Sequence, residues 1–356
     1  MRLSSRRLGQ ALSIGLILAA LNGMAGAAAP KIGKPRPAPE GPVAMPPLAP
    51  AIIDDTVEIA GEDVNARKVE TRLTTEVRVN GRGPYHFIVD SGADTTVVGL
   101  RIANQLNLPL GKPVILNAMT ARNIVDRVMV RELTLGPHRV ENLELPALSE
   151  ADLGGHGMIG IDSLASQRLM MDFEKRQIRV EDARQRYVPM PGEIVVTAYR
   201  RRGQLILTKV QAAGLKLDAV IDTGTEISIG NLALRDKLIR GNRNKFVTIP
   251  VTGVTGVTMD LQLAKVGELR LGSIVLNDVP MAFADVPPFE VFGLSKEPAL
   301  LLGTDVLETF RRVSLDFRAR KVRFQLRRCE STAVMLSTST RAPSRLSSDN
   351  PQVCRR

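Results

Sequence analysis

With 356 residues, 44% of them hydrophobic, and a formal charge of +11, the chain is long enough for two compact units with a buried core in each. The charge is unevenly placed: Arg2, Arg6 and Arg7 give +3 at the start, residues 327–356 hold six Arg against Glu330 and Asp349, and only +4 is left for residues 30–326. A basic tail is able to touch anionic membrane or nucleic acid, but without aromatic interleaving or a recognition helix it reads as solvated, with no nucleic-acid partner and no firm membrane partner expected.

In chain order, residues 1–29 combine the early arginines, an apolar run over Leu12 to Leu21 and the small residues Ala25-Gly26-Ala27-Ala28, which predicts a cleaved export signal and a periplasmic or secreted protein. An uncleaved signal would leave a membrane anchor, but Ser13, Gly15, Asn22 and Gly23 interrupt the apolar stretch. Residues 30–64 predict a Pro-rich extended spacer, with eight Pro in residues 30–50; a propeptide is the alternative. From Val69 onward, short runs of Val, Ile, Leu and Thr broken by Gly, Pro and Asn predict an all-β body. Residues 329–356 form a basic Ser/Thr-rich tail too polar to bury a core; its Cys329 and Cys354, far from every candidate site, are not read as nucleophiles or metal ligands, and the sequence leaves open whether they pair in an oxidising compartment.

One pattern occurs twice. Val77-Arg78-Val79, a turn at Asn80-Gly81 and the run Tyr85 to Val89 lead into Asp90-Ser91-Gly92-Ala93-Asp94-Thr95. Leu205 to Val210, a turn near Gly214 and the run Leu217 to Ile221 lead into Asp222-Thr223-Gly224-Thr225-Glu226. Later, Met158-Ile159-Gly160 and Met170-Met171-Asp172-Phe173 are answered by Leu301-Leu302-Gly303 and Ser314-Leu315-Asp316-Phe317. The separations are 132 residues for the first acids, 143 for the late glycines and 144 for the last acids, so a single loop insertion accounts for the drift. Two homologous β lobes follow, residues 65–188 and 189–328.

Asp-Ser-Gly or Asp-Thr-Gly alone is a common turn. Here each follows an apolar strand and is matched by a later apolar-apolar-Gly, which points to paired carboxylates. Two acids brought within hydrogen-bonding distance cannot both ionise cheaply and share a proton. One then serves as base and the other as acid, the chemistry needed for water to attack a peptide carbonyl. On this reading Asp90 and Asp222 are catalytic. Gly92 and Gly224 let the loops turn tightly, and the Ser91 and Thr223 hydroxyls are able to bond across to the opposite loop. No cofactor or metal is called for: His86, His138 and His156 show no ligand spacing, and no serine-hydrolase elbow or phosphate-binding loop is present.

These residues, over about residues 65–328, resemble the retropepsin-like aspartic proteases, particularly bacterial two-lobed members. The resemblance implies the acid protease fold, a peptide or protein substrate, and an active site between two lobes of one chain, so that a monomer suffices. It implies short helices over Asp162 to Gln167 and Asp305 to Phe310, and flap hairpins near Asn117 to Ala121 and Thr252 to Gly256. Asp94 and Glu226 match acids that accept bonds from substrate main chain. By likeness to pepsin-type enzymes, Thr225 donates its hydroxyl to Asp222 and biases it toward the ionised form, a role that Ala93 cannot play for Asp90. No flap tyrosine of the pepsin type is visible, and Ile161 and Thr304 replace the Arg of retroviral enzymes. The alternative function is a catalytically silent pseudoprotease that holds an extended peptide by strand addition.

Overall fold

A computed structural model describes residues 31–40, 62–69, 72–136, 138–164, 167–239 and 246–327, with the short strands Val334–Leu336 and Ser344–Leu346. The expected export signal and both cysteines lie outside the described residues. In the first lobe the strands Arg72–Val79 and Arg82–Val89 form a hairpin, with Val79 opposite Arg82. The two turn residues, Asn80 and Gly81, both have positive φ, 50° and 75°, the geometry that matches a tight hairpin to strand twist. The second lobe repeats this with Gln204–Ala212 and Leu215–Ile221, turning at Ala213 and Gly214 with φ of 46° and 82°.

Ala213 lacks the polar side chain that lets Asn80 tolerate left-handed backbone, a region that costs an L residue roughly 1 kcal/mol. Ala213→Asn is therefore expected to raise stability by up to about 1 kcal/mol, seen as a higher urea midpoint at unchanged slope. An unmoved midpoint would show that this turn carries no strain.

Both hairpins end in the same small device. Arg82–Val89 pairs in parallel with Gly157–Ile159, which pairs antiparallel with Val97–Gly99. Leu215–Ile221 pairs in parallel with Ala299–Leu302, which pairs antiparallel with Ile229–Gly230. Ala299–Leu302 is buried at every position, as a strand covered on both faces must be, and so reads as a continuous apolar run rather than an alternation. Long outer hairpins, Arg127–Leu135 with His138–Leu148 and Thr258–Leu271 with Ile274–Phe283, complete the two β-rich lobes.

A six-stranded sheet joins the lobes in the order Glu62–Val69, Gln177–Asp182, Gln167–Asp172, Phe310–Asp316, Lys321–Leu326, Glu193–Arg201. At its centre the equivalent strands of the two repeats run antiparallel, with Met170 opposite Ser314. The repeated landmark acids acquire a role here. Arg168 Nε lies 3.1 Å from Asp316 Oδ2, and Arg312 Nε lies 2.5 Å from Asp172 Oδ2. The remaining oxygen of each acid accepts a turn N–H, Asp172 from Lys175 and Asp316 from Ala319, both at 2.8 Å.

Two expectations are corrected. The short helices are Ile161–Leu164 and Thr304–Leu307; each starts one residue before its expected acid and is shorter than expected, because the inter-lobe strands already begin at Gln167 and Phe310. Residues 32–40, expected as a spacer, are extended but not free-standing: Arg36–Pro37 pairs antiparallel with the strand Arg122–Val125.

Candidate active site

The two Asp-containing loops meet between the lobes and are tied to each other through their second residues. Ser91 Oγ donates to Ile221 O at 2.8 Å and Thr223 Oγ1 donates to Val89 O at 2.7 Å. In return Ser91 N donates to Thr223 Oγ1 at 2.9 Å and Thr223 N to Ser91 Oγ at 3.3 Å. Each hydroxyl thus bonds the strand end that carries the opposite acid, and all four groups are buried, where a bond is hard to replace with water. From behind, Asp90 N donates to Ile159 O and Asp222 N to Leu302 O, at 2.9 and 3.0 Å, which is how the apolar-apolar-Gly strands set the height of the acids.

The carboxyls of Asp90 and Asp222 are hydrogen-bonded to each other. Asp90 Oδ1 also accepts from the Gly92 and Ala93 N–H groups at 2.8 and 3.0 Å, and Asp222 Oδ1 from those of Gly224 and Thr225 at 3.0 and 3.2 Å. The approach is so close that a Cβ on Gly92 would lie 2.5 Å from Asp222 Cγ, and one on Gly224 2.1 Å from Asp90 Cγ. Only glycine fits these positions without parting the acids.

Burial pushes both carboxyls up. Asp222 rises well above the ordinary range, because the negative charge of Asp90 adds to burial. Asp90 rises against opposing influences: two backbone N–H groups, the hydrogen bond from Asp222 and the positive charge of Arg72 all favour its ionised form. The pair thus titrates as a unit that holds a proton above the ordinary carboxylate range.

Thr225 does not make the contact expected of it. Its hydroxyl donates to Ile227 O at 3.2 Å, within its own turn, and lies 3.9 Å from Met119 Sδ, so only its backbone N–H serves Asp222. Thr225→Val is accordingly expected to leave both limbs of the pH profile of kcat/KM on a peptide where they stand in the parent. A shift of either limb would place the hydroxyl on Asp222 during turnover.

Asp94 and Glu226 are held by arginines of the opposite lobe. Arg202 Nε lies 3.6 Å from Asp94 Oδ2, and Arg72 Nε lies 3.0 Å from Glu226 Oε1. Gln204, fully buried, donates to Asp94 Oδ1. The sequence reading missed Arg72, Arg202 and Gln204; the available signal was that the two arginines stand 130 residues apart, nearly the spacing of the acids they meet. A second missed pair supports each loop. Asp162 accepts from Thr96 N and Oγ1 at 2.9 and 2.6 Å, and Asp305 from Ser228 N and Oγ at 3.0 and 2.7 Å. The Thr96 and Ser228 oxygens in turn accept from Gly160 N and Gly303 N, both at 3.0 Å. Burial pushes Asp162 up and Asp305 up to about 6.

Two hairpins close over the acids. The first, Val114–Asn117 with Arg122–Val125, has its tip at residues 118–121; the second, Val247–Thr252 with the start of Thr258–Leu271, has its tip at 253–257. The tips touch, since a Cβ on Gly253 would lie 2.2 Å from Thr120 Oγ1. Each rests on the other lobe: Met119 packs onto the second-lobe cluster beside Ile227, and Val254 onto the first-lobe cluster beside Ala93. Of the histidines, His86 and His156 come together, with stacked rings 5.8 Å apart and His86 N donating to His156 Nδ1 at 3.1 Å.

Among curated proteins none matches the sequence. The family model for aspartyl proteases matches it over residues 75–163 and 208–306, together more than half of the chain. Each matched segment spans one Asp-containing loop and the later apolar-apolar-Gly strand. The chain, with its two lobes and paired carboxyls, belongs to the aspartyl protease family.

Proposed function

We propose that the protein is an aspartic endopeptidase in which Asp90 and Asp222 hydrolyse a peptide bond with water as nucleophile. The observation that carries this reading is the mutual hydrogen bond of two buried carboxyls at the meeting of two mirrored loops. Asp90, the member favoured as carboxylate, takes a proton from water as its oxygen attacks the scissile carbonyl carbon. Asp222 donates its hydrogen bond to the carbonyl oxygen, and the departing nitrogen takes up a proton as the C–N bond breaks. The dyad needs one proton between two acids, and burial extends that state upward in pH, so the working range is mildly acidic.

The same reading makes the enzyme a monomer acting on peptide or protein segments laid in extended form beneath the two flaps, with Asp94 and Glu226 facing the substrate main chain. It places the protein outside the cytoplasm, on the strength of residues 1–29. Profiling cleavage of a mixed peptide library by the exported protein tests the proposal. Specific cuts that vanish in Asp90→Asn are expected, whereas binding of peptides without any cut would sink it in favour of a peptide-holding role.

A further inference from the structure

The first flap is not a two-stranded hairpin. Its outer strand, Arg122–Val125, carries a third strand drawn from the Pro-rich stretch, with Arg36 opposite Ile124 and Pro37 opposite Asn123. Ala38 N donates to Arg122 O at 3.1 Å, and Arg122 Nη1 donates back to Pro39 O at 2.9 Å. The other end is fixed where the flap leaves the lobe. Asp126, the residue between the strands Arg122–Val125 and Arg127–Leu135, accepts from Gly33 N at 2.7 Å and pairs with Arg36 at 3.4 Å. The segment therefore runs along the flap from its base toward its tip.

Its sequence suits that position. In an extended strand successive N–H groups point to opposite sides, and prolines stand at 35, 37 and 39. Only the intervening residues, Arg36 and Ala38, retain N–H groups, and Ala38 spends its own on the flap. The outward side, having no donors, cannot recruit a further strand, which is where proline belongs at a sheet edge. Alternating proline thus gives a strand with one adhesive side and one inert side.

We propose that the outer edge of the first flap is a strand-addition site for an extended, alternating-proline peptide, occupied here by residues 32–39, and that this strap restrains flap opening. A flap tip that rests on the opposite lobe has to lift before a peptide can reach the acids, and a strap bonded at the base and near the tip has to be peeled or carried along when it does. The inference concerns hairpin motion and stands apart from whether the dyad cuts.

Amide hydrogen exchange of the full chain tests it without reference to activity. Ala38→Pro deletes the donor to Arg122, Asp126→Ala deletes the base anchor, and Pro37→Ala alters only the outward side. In the first two variants the amides of Arg122–Val125 and of the tip, residues 118–121, are expected to exchange faster by about tenfold, while Pro37→Ala matches the parent. Thermal midpoints recorded in parallel should be the same in all four proteins, since Pro37, Ala38 and Asp126 all lie outside the buried core, which the strap meets through Ile32 alone. Tip amides that exchange at the parent rate in both anchor variants would overturn the restraint. So would a Pro37→Ala variant as fast as Ala38→Pro.

Discussion

Asp90→Asn and Asp222→Asn are each expected to lower kcat on a peptide substrate by at least about 10³-fold while leaving the protein folded, because each removes one half of an acid–base pair. The fold should survive, since an amide oxygen at either position still accepts the two loop N–H groups that now bind Oδ1. The same variants carry a stability signature of defined sign. Both carboxyls are raised in the folded protein, so the folded state holds protons that the unfolded chain has released, and stability falls as pH climbs above the ordinary carboxylate value of about 4. Replacing Asp222 by Asn removes its share of that loss. The variant should therefore melt above the parent at neutral pH, with the gap closing as pH is lowered toward 4. Retained turnover in either variant would remove the acid from the chemistry, and a pH-independent gap in melting would deny its raised pKa.

The second large effect lies away from the acids. Asp316→Ala is expected to destabilise the protein by about 3 kcal/mol, because it removes the buried carboxylate shared by two buried arginines, Arg168 at 3.1 Å and Arg323 at 3.4 Å, and leaves them only the less buried Glu181 at 3.2 Å and Glu193 at 4.0 Å. The contrast is Glu268→Ala, which breaks an ion pair with Arg270 whose side chains are 41% and 39% exposed; solvent screening holds that loss below about 0.5 kcal/mol. Chemical denaturation of both variants against the parent supplies the comparison. Losses of similar size would mean that the charges at the centre of the inter-lobe sheet are solvated.

What could be read in the sequence was what repeats locally. A hairpin with Asn80-Gly81, an apolar strand, an acid and a glycine are neighbours in the chain, so their pattern survives in one dimension and appears twice. The Ser91 and Thr223 cross-bonds followed from the same logic, because a buried hydroxyl beside each acid needs a partner and the opposite loop is the nearest. The reciprocal pairs Arg72 with Glu226 and Arg202 with Asp94 were not legible, since arginine is a common surface residue and its partner lies in the other half of the chain. Thr225 failed for a different reason. A threonine hydroxyl chooses among acceptors within reach of its rotamers, and the Ile227 carbonyl of its own turn was closer to hand than the carboxyl that likeness to other enzymes suggested. The alternating prolines announced an extended segment but not the edge on which it lies.

The central pairing of the inter-lobe sheet has a consequence for how a chain selects its own other half. Each repeat carries an arginine four residues before its acid, Arg168 with Asp172 and Arg312 with Asp316, and the register sets arginine opposite acid at both ends. That charge code is self-complementary: two copies of the first repeat would satisfy it as well as one copy of each, and the partners are distinguished only by the side chains between the charges, where Met170 faces Ser314, Leu169 faces Leu315 and Met171 faces Val313. Covalent linkage, through the high effective concentration it imposes, is thus what directs a repeat to its mate. Where many chains fold together that advantage shrinks, and exchange of halves between molecules becomes the characteristic misassembly of this architecture.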